Sequence, residues 1–264
     1  MAEVSFNDYI TNPGGKGSAV VTNRGMYKSM YQQKFDAVLL REQGKIEYKV
    51  YHKNDSFDTY FIHIKIPSEE LSGFYYDTVV KLYTGIGSKK SATNLKNYAV
   101  QFYSNDATFV FTYVYAFSKN KLFINELSSK MSKQALKERA KVRNPRNEIG
   151  YIKSLYFAYL TMDKYNLFER TVLDKEAKDY NKLEFLKAIA HSDEKMEERR
   201  AAKAKDKEDK KKEKPPAKQE DRNAGVATNT SKRSAITKTV STSKKTKKVS
   251  TTKTTKVTSM NKNK

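Results

Sequence analysis

The sequence predicts an α+β fold: an antiparallel sheet with flanking helices, then a long charged C-terminal helix and a disordered basic tail. Three observations predict it. Apolar and polar residues alternate with strand period through 46–66, apolar residues recur at helical spacing in 26–40 and 152–162, and all 18 Tyr and 13 Phe residues fall between Phe6 and Phe185. The last observation sets the boundaries. Material for a core ends at Phe185, so residues 1–190 are expected to fold as one domain, 191–214 to form a charged helical stalk, and 215–264 a Lys/Thr/Ser-rich tail. A domain of that size buries well over half of its unfolded surface without staples. The chain has no Cys and so no disulfides.

Taken in order, Asn12-Pro13-Gly14-Gly15-Lys16-Gly17-Ser18 is turn-rich, and Met26, Met30, Phe35 and Val38 follow helical spacing over 26–40. Beyond Gly44, Ile46, Tyr48 and Val50 alternate with Glu47, Lys49 and Tyr51. After the polar loop Asn54-Asp55-Ser56, Tyr60, Ile62, Ile64 and Ile66 alternate with Phe61, His63 and Lys65, which predicts a hairpin ending at Pro67. Strands are expected at 76–83 and 98–103 around a polar loop, 85–93. The aromatic run Phe109, Phe111, Tyr113, Tyr115, Phe117 has period 2 and is expected as a strand, although Asn105-Asp106 equally suits the cap of a short buried helix.

Residues 132–139 predict a short polar helix stopped by the run to Pro145, and Ile152, Leu155, Tyr156, Tyr159, Leu160 and Met162 an amphipathic one. From Val172 to about Lys214 the chain is helix-permissive throughout. Its apolar contacts, Leu183, Leu186, Ile189 and Met196, end early, and Asp206 and Glu208 then stand four residues before Lys210 and Lys212, as on a solvated helix. Pro215-Pro216 ends it, since neither residue donates a backbone N–H.

Charge identifies the partner class. Residues 222–264 hold twelve Lys or Arg and no acidic residue, against a net +22 for the whole chain, so more than half of the net charge lies where no aromatic residue is present. The candidate nucleic-acid-binding residues are Arg222, Lys232, Arg233 and Lys238, then Lys244, Lys245, Lys247 and Lys248, and finally Lys253, Lys256, Lys262 and Lys264. With half of them on phosphates, log affinity for duplex would fall with log salt at a slope of about −5. Lys is a mobile point charge, which favours backbone phosphate over base identity. The tail lacks the aromatic or Leu anchors of a lipid-binding segment.

Other functions find less support. No run approaches the ~18 apolar residues of a membrane span, and Glu3 and Asp8 stand where a secretory leader would be basic. Absent Cys removes thiol nucleophiles and Cys-ligated metals. Gly14-Gly15-Lys16-Gly17-Ser18 fails the phosphate-loop spacing and follows no strand. Asp36, Glu47 and Lys49 are the residues from which a metal-dependent nuclease would be built, two carboxylates for magnesium and a lysine for the attacking water; a solvated strand face explains Glu47 and Lys49 as well. His52, His63 and His191 are expected as satisfied surface residues, with His52 and His63 too far apart in the hairpin to share a metal. No catalytic residue, cofactor or metal is assigned.

Several stretches resemble virion-associated structural proteins of tailed bacteriophages: Asn12-Pro13-Gly14-Gly15-Lys16-Gly17 followed by Asn23-Arg24, Tyr103-Ser104-Asn105-Asp106 before Phe109, Lys141-Val142-Arg143-Asn144, and Lys153-Ser154-Leu155-Tyr156-Phe157-Ala158. The resemblance covers residues 12–158 and contains no catalytic signature. It implies a head, neck or capsid component that meets packaged DNA, located in the virion and, during assembly, in the host cytoplasm. Its partners would be nucleic acid, other virion proteins and copies of itself, with no membrane. The basic tail lies outside the resemblance and rests on charge. The alternatives are a cellular non-specific DNA- or RNA-binding protein and the nuclease.

Overall fold

A computed structural model of the protein describes residues 4–11, 24–85, 92–150 and 152–212. Four strands, β1 (Tyr48–Lys53), β2 (Thr59–Pro67), β3 (Tyr75–Tyr83) and β4 (Ala99–Ser104), form an antiparallel meander. A fifth, β5 (Ala177–Asp179), pairs parallel to β1, so the sheet order is β4-β3-β2-β1-β5. The helices are α1 (Phe6–Thr11), α2 (Arg24–Arg41), α3 (Val114–Lys119), α4 (Lys133–Lys137), α5 (Lys153–Lys164), α6 (Arg170–Glu176), α7 (Lys182–Lys187) and α8 (Ser192–Lys212). The expected α+β class, the hairpin around residues 54–56, both further strands and the long charged helix are all present.

Register explains which residues are buried. Val50, Ile62, Val80 and Phe102 stand side by side across four strands, and His52, Tyr60, Leu82 and Val100 form the next row on the same face. On that face α1 sets Phe6 5.3 Å and Tyr9 4.7 Å from the Phe102 ring, and Phe6 also meets Tyr159 of α5 at 5.7 Å. Helix α2 lies behind, its Phe35 against Phe157 of α5 at 5.4 Å. Edge-to-face rings of this kind add to the transfer energy of burying them.

The opposite face is solvated only in part, where Glu47 and Lys49 stand as expected. Glu47 and Lys49 are exposed there, with Glu47 paired to Lys65 at 3.0 Å. Further along, Phe61 packs on Tyr180 and on Phe185 of α7, at 4.7 and 5.0 Å, while Tyr103 is closed over near Phe123. Both sides of β2 are therefore covered, which accounts for its near-continuous burial.

Three expectations are corrected. Residues 109–117 are not a strand: 109–113 form a π-helical turn that runs into α3. The Val114 N–H donates to the Phe109 carbonyl, and this five-residue step, rather than period 2, brings Phe109, Val110, Val114 and Phe117 into the core. Asp106 starts the turn, its carboxylate accepting from the Thr108 N–H at 2.9 Å. The helix-permissive run from Val172 is also broken. Asn181 caps α7 by accepting from the Leu183 and Glu184 N–H groups, and Ala177–Asp179 fill the free edge of β1. Leu183, expected among the apolar contacts, is 70% exposed, and Phe185 holds α7 down instead.

The stalk is partly docked. Met196 of α8 is buried with Leu71, Phe74 and Tyr76 in a satellite cluster that Ala202 joins. Arg199 and Lys203 pair with Glu70 at 3.0 and 2.6 Å. The first half of α8 thus lies against the β2–β3 connection.

Candidate nucleic-acid interface

All twelve candidate tail residues, from Arg222 to Lys264, lie outside the described residues, as does the Gly14–Ser18 loop. The other predicted residues are placed apart. Asp36 is exposed on α2 and accepts from Gln32 at 3.0 Å, whereas Glu47 turns to Lys65. Among the described residues no group of three or more His, Asp or Glu is arranged to hold a metal ion. No described helix is long and apolar enough to cross a membrane.

The histidines divide. His52 and His191 are partly exposed, but His63 is only 3% exposed, which corrects its expected surface position. Its Nε2 donates to Asp77 Oδ1 at 2.8 Å from the neighbouring strand. Asp77 Oδ2 accepts from Asn105 Nδ2 at 3.0 Å and from the Ala190 N–H at 3.1 Å, and the Asp77 N–H donates to Asn105 Oδ1 at 2.8 Å. Burial by itself would push the Asp77 carboxyl up; hydrogen bonds from His63, Ala190 and Asn105, with the histidine's charge, outweigh it and hold the pKa below the ordinary value. This cluster ties β2, β3 and the end of β4 to the segment between α7 and α8. Its bonds are mutually satisfied and internal, which marks it as a structural clasp.

A second polar network closes the other end of the sheet. Arg170, at the start of α6, donates to Asp58, to the Tyr98 hydroxyl at 2.5 Å and to the Ala92 carbonyl at 3.1 Å. His52 Nε2 donates to Asp58 at 2.9 Å and its ring stacks on Tyr60 at 4.4 Å, while the Tyr60 hydroxyl donates to Asp174 at 2.6 Å. Burial opposes the charge on Asp58, yet Arg170 and His52 together lower its pKa, and Arg170 is held charged in return. The left-handed backbone at Asp58, φ 47°, aims its carboxylate into this network.

The surface suited to polyanions within the described residues is the connection from α4 to α5. Lys133, Lys137, Arg139, Lys141, Arg143 and Arg146 are all exposed there. Among the described residues only Arg146 has a carboxylate in reach, Glu148 at 3.8 Å. Asn144 fixes the segment: its side-chain amide donates to the Thr112 carbonyl at 3.2 Å and the Glu148 carbonyl at 2.9 Å, and its oxygen accepts from the Glu148 N–H at 2.9 Å. The sequence predicts over these residues a polar helix and its stop. The overlooked signal was three of the chain's ten Arg within eight residues, 139–146. Comparison with known protein families, with curated proteins and with solved structures returned no match.

Proposed function

We propose that this protein is a non-enzymatic structural component of a tailed-bacteriophage particle whose basic C-terminal segment contacts nucleic acid, DNA above all, through the phosphate backbone. The carrying observation is the charge: twelve Lys or Arg and no acidic residue in 222–264. A segment without carboxylates has no internal counter-charge, so its field is neutralised by counterions, and a polyanion releases them. The resemblance over residues 12–158 supports a virion setting for that chemistry, with other particle proteins and further copies of the chain as partners.

Purified particles test the virion assignment. Mass spectrometry should find the protein in defined stoichiometry that survives salt washing; its absence from particles, with free protein in the lysate, would move the reading to a cellular nucleic-acid-binding protein. Binding across a salt series tests the tail. Deleting 222–264 should remove most duplex affinity and flatten the salt slope, and a tail scrambled at constant composition should restore both, because point-charge lysines respond to phosphate rather than base order.

A further inference from the structure

We propose that the connection between α4 and α5 is a second nucleic-acid contact, one that holds the phosphodiester backbone with cations fixed in place by the fold. The proposal extends the reading of this chain as a nucleic-acid-contacting protein, but it does not require the tail to bind.

Five cations of this surface have no partner among the described carboxylates. Lys133, Lys137, Arg139, Lys141 and Arg143 are exposed, and no described carboxylate lies within salt-bridge distance of any of them. Glu138, the one acidic residue in 133–146, accepts instead from the neutral Gln134 amide at 3.3 Å. Six cations gathered in fourteen residues repel one another, so the isolated molecule gains nothing from the arrangement. A bound polyanion reverses the sign of that energy.

This surface is held by the fold. Asn144 is buried, and its side-chain bonds pin the segment to the π-helical turn and to Glu148. Its N–H donates to the Ala140 carbonyl at 2.9 Å, closing a turn, and Pro145 follows. The cations on either side of Asn144 are therefore presented by a fixed backbone, and α4 packs against α3 behind them. Composition agrees: the tail is nearly all Lys, but here half of the six cations are Arg. The guanidinium fork meets two phosphate oxygens at once and loses less freedom in doing so.

An acidic protein partner would also be drawn to this charge. Stable protein interfaces, however, need a desolvated aromatic or apolar centre. Within 133–146 Val142, 92% exposed, is the one exposed large apolar side chain, and it stands between Lys141 and Arg143. A surface that is cationic without an apolar centre suits a phosphate backbone.

The experiment uses full-length protein in two backgrounds, wild type and a form with the twelve tail cations replaced by Gln. Binding of a labelled DNA duplex is followed across a salt series. The neutral-tail form should retain measurable binding. Adding K137Q, R139Q, K141Q and R143Q should weaken it about tenfold or more at low salt and reduce the salt slope by about 3. Comparing wild type with the neutral-tail form tests the tail separately, so either contact can fail alone. The proposal is overturned if the neutral-tail protein does not bind above background, or if the four loop substitutions leave its affinity unchanged. Should that variant fail to fold, R139K, R143K and R146K decide instead: charge is kept, and a severalfold loss of affinity at an unchanged slope is expected, with no loss counting against the proposal. Polyglutamate of matched length is the control probe, and tighter binding to it than to duplex would indicate an acidic protein partner and sink the nucleic-acid assignment.

Discussion

Asp77 joins three separate segments, since it accepts from His63, Asn105 and the Ala190 N–H at once. Replacing it with Asn turns an acceptor into a partial donor facing two donors, so Asp77→Asn should destabilise the protein by about 3 kcal/mol at pH 7. The pH dependence follows from the lowered native pKa. The unfolded carboxyl titrates near pH 4, so this stabilisation is complete above that value and is lost as pH falls through the lower native pKa. Urea titrations of wild type and variant should therefore diverge most at neutral pH and converge below pH 4; a gap constant from neutral to acid would show that Asp77 is not ionised in the fold. Asn144 offers a smaller test. Asn144→Ala strands the Thr112 and Glu148 carbonyls and the Glu148 N–H, at a cost of about 2 kcal/mol, and hydrogen exchange should rise in residues 140–148 first.

At the scale of elements, α8 shows which contacts hold a charged helix to a domain. Its ion pairs to Glu70 are conspicuous, but Glu70 is 57% exposed, and such pairs are worth about 0–1 kcal/mol. Met196 is 6% exposed among Leu71, Phe74 and Tyr76, and truncating a buried Met costs about 2 kcal/mol or more. Met196→Ala should thus release the first half of α8, seen as faster amide exchange over 193–203, whereas Glu70→Gln should leave that exchange nearly unchanged. If Glu70→Gln frees the helix and Met196→Ala does not, electrostatics rather than burial hold it. β5 is three residues long, with no apolar pattern of its own, and exists because β1 has an open edge; the Tyr180 N–H extends the pairing to the His52 carbonyl at 2.9 Å. The Asn181 cap was readable, with Glu184 three residues on as in a capping box.

Across the whole molecule, aromatic packing and net charge occupy different parts of the chain. All 31 Phe and Tyr lie at or before Phe185, while more than half of the net charge lies in 222–264. Limited trypsin treatment should remove the Lys-rich end and leave a product that retains Met196, because α8 is docked through that residue. That product should keep the unfolding temperature of the full chain. A protected fragment still carrying Val249 would contradict this division.

By itself the sequence determined the α+β class, the hairpin and its neighbours, the amphipathic helices, the charged C-terminal helix and the concentration of charge beyond residue 221. Each is a local property: side-chain period, turn chemistry or composition over a window declares itself without knowledge of distant residues. Tertiary structure alone decided that residues 109–113 coil as a π-helical turn, because their period suits strand and helix alike and only the surrounding core selects between them. It also decided that His63 is buried against Asp77, that Arg170 reaches Asp58 across the sheet end, and that Asn144 fixes a cationic loop on Thr112. These pairs are 14, 112 and 32 residues apart in the chain, and their hydrogen bonds arise only when packing brings their elements together.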